Sequence, residues 1–258
     1  MPTAAGLHYF LHEGGSLTKP SLVLIHEAGG EHLSWPPELR RLPERRVFTL
    51  DLPGHGKTEG LGCQSVEDYA GRIVDFLNAT GLSRAVLGGH GMGGAIALIL
   101  ALDHPERVAG ILLASTGSRL PMPAPVLENG ANPSTLLLAI NYLQELSFHE
   151  NTPESLRETV FKRLTQIRQT LLYGDWLACD RFDVSGRLEA IKTPTLVVCG
   201  KGDKLTPLHF SETLASRIPG AALQTVDEAG HMLILEQPQH MAKLISVFLA
   251  TIPYIPGM

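Results

Sequence analysis

The run Gly89-His90-Gly91-Met92-Gly93 joins an apolar, strand-like segment to one that reads as a buried helix. Its spacing is that of G-x-S-x-G, the sharp strand-to-helix turn that presents a serine nucleophile at the edge of a sheet. Gly91 stands where that serine would be. Glycine has no side chain, so this position cannot attack a carbonyl or carry an acyl group. A strained turn also suits glycine, because other residues held in such backbone regions cost about 1–3 kcal/mol. Gly91 is therefore either a plain tight turn or a nucleophile position without its nucleophile.

The elements that must hold such a site are legible as an alternation. Apolar, β-rich runs at 21–26, 46–51, 84–89, 108–115, 195–199 and 223–226 are separated by helical patterns, which implies a mostly parallel sheet with helices on both faces. Val66, Tyr69, Ile73, Phe76 and Leu77 fall on one face of a helix over 66–80. Residues 95–102 are apolar nearly all round, as befits a helix buried against the sheet, and 239–252 reads as a last helix opened by Pro238. The rhythm breaks between 117 and 191: Pro121, Pro123 and Pro125 lead into helical stretches, clearest at 133–147 and 152–167, with no strand pattern. The expected division is a core of 1–116 and 192–258 with a helical cap of 117–191 over the strand ends, where open α/β sheets bind ligands. A helical subdomain with structural duty alone is the other reading of that insertion.

Five marks follow one another at the ends of these strands: Leu24-Ile25-His26-Glu27-Ala28-Gly29-Gly30, Asp51-Leu52-Pro53-Gly54-His55-Gly56, the turn at Gly91, Gly200-Lys201-Gly202-Asp203, and Ala229-Gly230-His231. In this order the chain resembles the α/β-hydrolase superfamily, in its capped, esterase- and lipase-like branch. The resemblance spans nearly the whole chain and is weakest over 117–191. It implies a nucleophile–acid–histidine order, with Gly91 in the nucleophile position, Asp203 as the orienting acid and His231 as the base. Asp227 and Asp180 are the other candidates for the acid. The resemblance also implies an oxyanion hole from the backbone N–H groups of Ala28 and Met92, each worth about 2.7–4 kcal/mol in the transition state.

Glu27 departs from the pattern, which has glycine after the histidine of that loop. Facing the hole, its charge would oppose an oxyanion; turned away toward the cap or a loop, the favoured reading, it is a structural substitution. Trp35, Trp176 and Phe182 are candidate walls of a substrate pocket, or else plain core. The Asp51–Gly56 run and its His55 read as a turn supporting the site, and His8, His12, His104, His149, His209 and His240 as surface or helix residues.

Three functions remain open. The favoured one is a hydrolase of carboxylic esters or related acyl compounds whose serine has been removed by design. The second is a natural pseudo-hydrolase that uses the pocket as a receptor. The third is an enzyme without a covalent intermediate, in which His231 and Asp203 activate water or take a substrate proton directly. Chemistry of the dehalogenase or epoxide-hydrolase kind is disfavoured, since it needs a carboxylate at position 91.

Composition limits the rest. With 44% apolar and 18% charged residues and a net charge of −5, the chain carries no basic footprint for nucleic acid or an anionic membrane. No leader or spanning segment is expected, and Cys63, Cys179 and Cys199 lack metal-ligand spacing, which fits a reducing cytoplasm. The glycines at 89–94 lack the lysine of a phosphate loop, so no cofactor is expected. The expected partner is a small apolar ester-like molecule bound by a monomer or homodimer.

Overall fold

The longest apolar runs become the middle of the sheet. In the computed structural model, which describes residues 2–15 and 19–253, eight strands line up as β1-β2-β4-β3-β5-β6-β7-β8. They are β1 (Thr3–Ala4), β2 (Leu7–Glu13), β3 (Ser21–Ile25), β4 (Arg46–Leu50), β5 (Ala85–His90), β6 (Val108–Ala114), β7 (Thr195–Gly200) and β8 (Ala222–Val226). From β4 to β8 neighbouring strands pair in parallel, while β2 runs antiparallel to β1 and β4. Every residue of β3, β5, β6 and β7 is buried, which is why these strands read as unbroken apolar runs rather than alternations. The pair β1–β2 extends the expected sheet. β2 (Leu-His-Tyr-Phe-Leu-His-Glu) is mostly half-buried and broken by two histidines, so it lacks the signal of its neighbours.

The helices are α1 (Pro37–Arg40), α2 (Val66–Ala79), α3 (Met92–Asp103), α4 (Ala124–Gly130), α5 (Leu136–Ser147), α6 (Glu154–Thr165), α7 (Gln169–Arg181), α8 (Leu208–Arg217), α9 (Leu233–Glu236) and α10 (Pro238–Thr251). The Ser65 hydroxyl accepts the Asp68 N–H at 3.1 Å and starts α2, whose apolar stripe is buried as its spacing requires. α3 is buried all round except at its end, and begins three residues earlier than its apolar run because Gly91 is its N-cap. One core cluster joins α2 and α3 to the sheet; a second, beneath α1 and α10, lies around Leu22, Leu24 and Leu112. These two layers fix the ends of β3, β5, β7 and β8 relative to one another.

Between β6 and β7 the chain forms α4 to α7, with a single isolated bridge, Arg119 to Asp183, as its only β pairing among the described residues. The Pro123 and Arg168 caps of α4 and α7 make no side-chain bond, which explains why neither helix announces its start in the sequence. Val126, Ile140, Leu143, Leu172 and Trp176 give these helices a cluster of their own.

Candidate active site

Gly91 closes β5 with φ +53° and ψ −115°. Its N–H donates to Ala114 at 3.1 Å, and its carbonyl accepts from the Thr116 hydroxyl at 2.8 Å. The flanking glycines answer to close backbone approach: a Cβ on Gly93 would lie 2.2 Å from the Ile25 carbonyl oxygen, and one on Gly89 would lie 2.1 Å from Gly93. Gly91 is different. A Cβ there would meet His231 Nε2 at 3.4 Å and Glu27 Cβ at 3.5 Å, an ordinary contact distance. Room for a side chain exists, and it opens between an imidazole and the loop after β3.

His231 lies after β8 and Asp203 after β7. Asp203 Oδ2 accepts from His231 Nδ1 at 3.1 Å, and the Thr206 hydroxyl donates to the same oxygen at 2.7 Å while standing 3.0 Å from Nδ1. Oδ1 takes the N–H groups of Leu205 and Thr206 at 3.0 and 2.8 Å. Burial opposes charge on Asp203, but His231 and these donors outweigh it and hold the carboxyl below the usual carboxylate range. With its Nδ1 proton committed, His231 turns the lone pair of Nε2 toward Gly91. The alternative acids sit elsewhere: Asp227 is exposed and pairs with Lys201 at 2.6 Å, and Asp180 accepts the Met122 N–H.

Glu27 does not turn away toward the cap. Its Oε2 lies 3.3 Å from Nδ1 of His90, the residue before Gly91, and the side chain keeps 15% exposure. His90 Nε2 faces the His231 carbonyl oxygen at 2.8 Å. Both ring nitrogens thus point at acceptors, an arrangement that favours the doubly protonated ring. Burial works against these charges, yet the bond to His90 keeps Glu27 down at about 2, and Glu27 raises His90 above the ordinary imidazole value. The sequence pattern flagged Glu27 but gave no sign of its partner, because a loop after β3 and a turn after β5 meet only in the fold.

The loop bearing Glu27 is itself fixed by histidine. His26 Nδ1–H donates to the Glu27 carbonyl at 2.7 Å, and its Nε2 accepts the Leu52 N–H at 3.1 Å. Buried first of all by desolvation, and next to His55, His26 is lowered to about 4 and stays neutral. Asp175 of α7 accepts from Gly29 N–H at 2.8 Å, His55 Nε2 at 2.8 Å and the Tyr69 hydroxyl at 2.6 Å, tying the inserted helices to the loops after β3 and β4. Asp51 does similar work deeper down, accepting from His8, His32 and the Lys57 N–H. His8 is accordingly buried, not at the surface as its sequence setting suggested.

Glu27, Ala28, Gly91, Met92 and His231 share the wall of a cavity of about 90 Å³. The rest of its lining is largely apolar and comes from the inserted segment, including Leu120, Met122, Leu143, Phe148 and Trp176. Of the three aromatic candidates, Trp176 alone lines it. Trp35 is fully buried with Leu39 and Leu42 in the cluster under α1, and Phe182 packs with Ala178 and Val184, because the sheet and the chain reversal after α7 carry both away from the mouth.

Known proteins share this architecture. Residues 20–238 match the profile of the family described as alpha/beta hydrolase fold. The chain is 31% identical over 267 residues to a 2-hydroxymuconate semialdehyde hydrolase of Pseudomonas putida, covering 96% of this chain and 92% of that protein. It is 29% identical over 263 residues to a putative carbamate hydrolase, RutD, of Caulobacter vibrioides, covering 96% of each. A solved thermophilic esterase superposes with a TM-score of 0.83 at 27% identity, over 95% of this chain and 94% of its own. The match over most of its length, on the sheet order and helices described above, makes this chain a member of the α/β-hydrolase fold family.

Proposed function

We propose that the protein hydrolyses small, largely apolar acyl compounds, carboxylic esters foremost, by direct attack of water. The observation that carries this reading is the side-chain position left open at Gly91, where a Cβ would stand 3.4 Å from His231 Nε2. Water in that gap donates one proton to His231; the imidazolium that forms is stabilised by Asp203, and its proton passes to the leaving alkoxide. Ala28 and Met92, on the cavity wall, offer backbone N–H groups to the carbonyl oxygen. The segment 117–191 serves as a cap that excludes bulk water and supplies the apolar wall. Relatives named as hydrolases support the reaction class, while Asp203 and His231 would be idle in a receptor.

The test is turnover of 4-nitrophenyl acetate and butyrate by the protein, H231A and G91S. Direct attack by water predicts measurable hydrolysis that H231A abolishes. Turnover in G91S alone would instead mark a serine enzyme lacking its nucleophile, and none in either form would mark a receptor. Serine at φ +53° costs about 1–3 kcal/mol of stability, read as a lowered unfolding midpoint.

A further inference from the structure

The segment that carries His231 is held from two sides. From the sheet, the Ala229 carbonyl accepts the Gly202 N–H at 2.8 Å, and the His231 carbonyl faces His90 Nε2. From the inserted helices, the Ser147 carbonyl accepts the Met232 N–H at 3.0 Å. The turn after α5 also closes over Gly230, where a Cβ would lie 2.7 Å from the His149 nitrogen. Glu236, the last residue of α9, joins the two parts. Its Oε2 accepts the Gly230 N–H at 2.7 Å, while its Oε1 accepts the His149 N–H at 2.8 Å and the Thr152 hydroxyl at 2.5 Å. Hydrogen bonds to a carboxylate are roughly twice as strong as neutral ones. Arg157 of α6 fastens the same turn through the His149 and Thr152 carbonyls, and Gln144, on the cavity wall, donates to the Arg157 carbonyl at 2.9 Å. A bonded path therefore runs from the cavity wall, through the turn and Glu236, to the residue before His231.

We infer that Glu236 is a positioning residue for His231: it passes the seating of the inserted helices on to the imidazole. The ring then stands against Asp203 and Gly91 only while the turn at 147–152 is docked. The N–H groups on both sides of His231 end in that support, so its loss frees the main chain that aims the ring. A shift of about 1 Å at a reacting group costs about 10²-fold in rate. A role confined to ending α9 would stabilise the fold and leave the ring untouched. The effect on turnover rests on the hydrolysis proposed above; the effect on the ring does not.

Two variants cut the path at opposite ends. The amide of E236Q has one oxygen, suited to the two donors at His149 and Thr152, which leaves its NH2 against the Gly230 N–H, donor against donor. T152V removes the hydroxyl bond at the other end and keeps the shape. The readout is the proton–nitrogen correlation spectrum of the His231 ring at about pH 8, where an ordinary imidazole is neutral, assigned with H231A. The bond to Asp203 holds the proton on Nδ1, whereas a free neutral imidazole favours Nε2. The unaltered protein should show the Nδ1–H form, E236Q a mixture with the Nε2–H form, and T152V a smaller change in the same direction. Ester turnover should fall about 10²-fold in E236Q through kcat, with KM little changed. The double variant should lose no more than E236Q, because both changes cut one path. An unshifted ring in folded E236Q overturns the inference whatever the rate does, and so does a T152V change that adds in full to that of E236Q. Should E236Q fail to fold, an unshifted ring in T152V overturns it. If no form hydrolyses esters, the ring spectra still decide, so failure of that reaction and failure of this inference are told apart.

Discussion

Asp203 stays charged in a buried place because the N–H groups of Leu205 and Thr206, the Thr206 hydroxyl and His231 all donate to it. Asparagine in its place would keep the shape, yet its amide could present N–H to His231 Nδ1 and force the imidazole into the other tautomer. Nε2 would then face Gly91 as a donor, unable to take a proton from water. D203N should therefore lower ester turnover by about 10⁴-fold with little change in KM; an equal rise in KM would point to lost binding instead. This much of the site was legible, since Gly200-Lys201-Gly202-Asp203 and Ala229-Gly230-His231 are local strings at strand ends. Thr206, His90 and His26 were not. Each acts through a partner on another strand, and a lone hydroxyl or histidine in a sequence carries no mark of what it will face.

At the scale of elements, the inserted helices are held to the sheet by a polar bolt as well as by packing. Asp175 of α7 grips His55, Tyr69 of α2 and the Gly29 N–H, one residue from Ala28. His55 Nδ1 also faces the Pro53 carbonyl, so acceptors at both nitrogens favour the charged ring, and the pair is fully buried. Burial alone would lower His55, but Asp175 outweighs it and raises it. D175N strands a buried cation and should cost about 3–5 kcal/mol. Adding H55N should recover part of that loss, a coupling that denaturant titration of the single and double variants reads out. Proteolysis within 117–191 should quicken in D175N as its helices loosen; unchanged cleavage would deny the bolt its role. In the sequence the acidic run Asp175-Trp176-Leu177-Ala178-Cys179-Asp180 sits where it could return to the mouth of the site, but a charged residue on a helix usually faces water, and only the tertiary contacts show that Asp175 points inward.

Over the whole molecule, the buried histidines set opposite limits on stability. His26 is neutral in the fold, lowered to about 4, because its Nε2 must accept from Leu52 N–H. An unfolded chain protonates the same residue near the ordinary 6.5, so between these values the unfolded state binds the extra proton. Its contribution is complete above about 6.5 and is lost as pH falls toward 4. At about 1.36 kcal/mol per pH unit, that window is worth about 3 kcal/mol. His55 and His90 have the reverse sign: each is raised by a carboxylate, so its contribution is full below the unfolded value and disappears as pH rises through the folded one. The unfolding free energy should therefore peak near pH 6.5 and fall on both sides. The carboxylates Glu27, Asp51, Asp175 and Asp203, all depressed in the fold, add their losses as pH falls below their unfolded values, Glu27 from 4.5, so they overlap the lower end of the His26 window and continue below it. H26N, which offers the loop an amide and does not titrate, should flatten the limb between pH 6.5 and 4 and leave the alkaline limb in place. Denaturant midpoints measured across that range decide it, and equal slopes for the two proteins would remove His26 as the acid-sensitive point of the loop that carries Glu27 and Ala28.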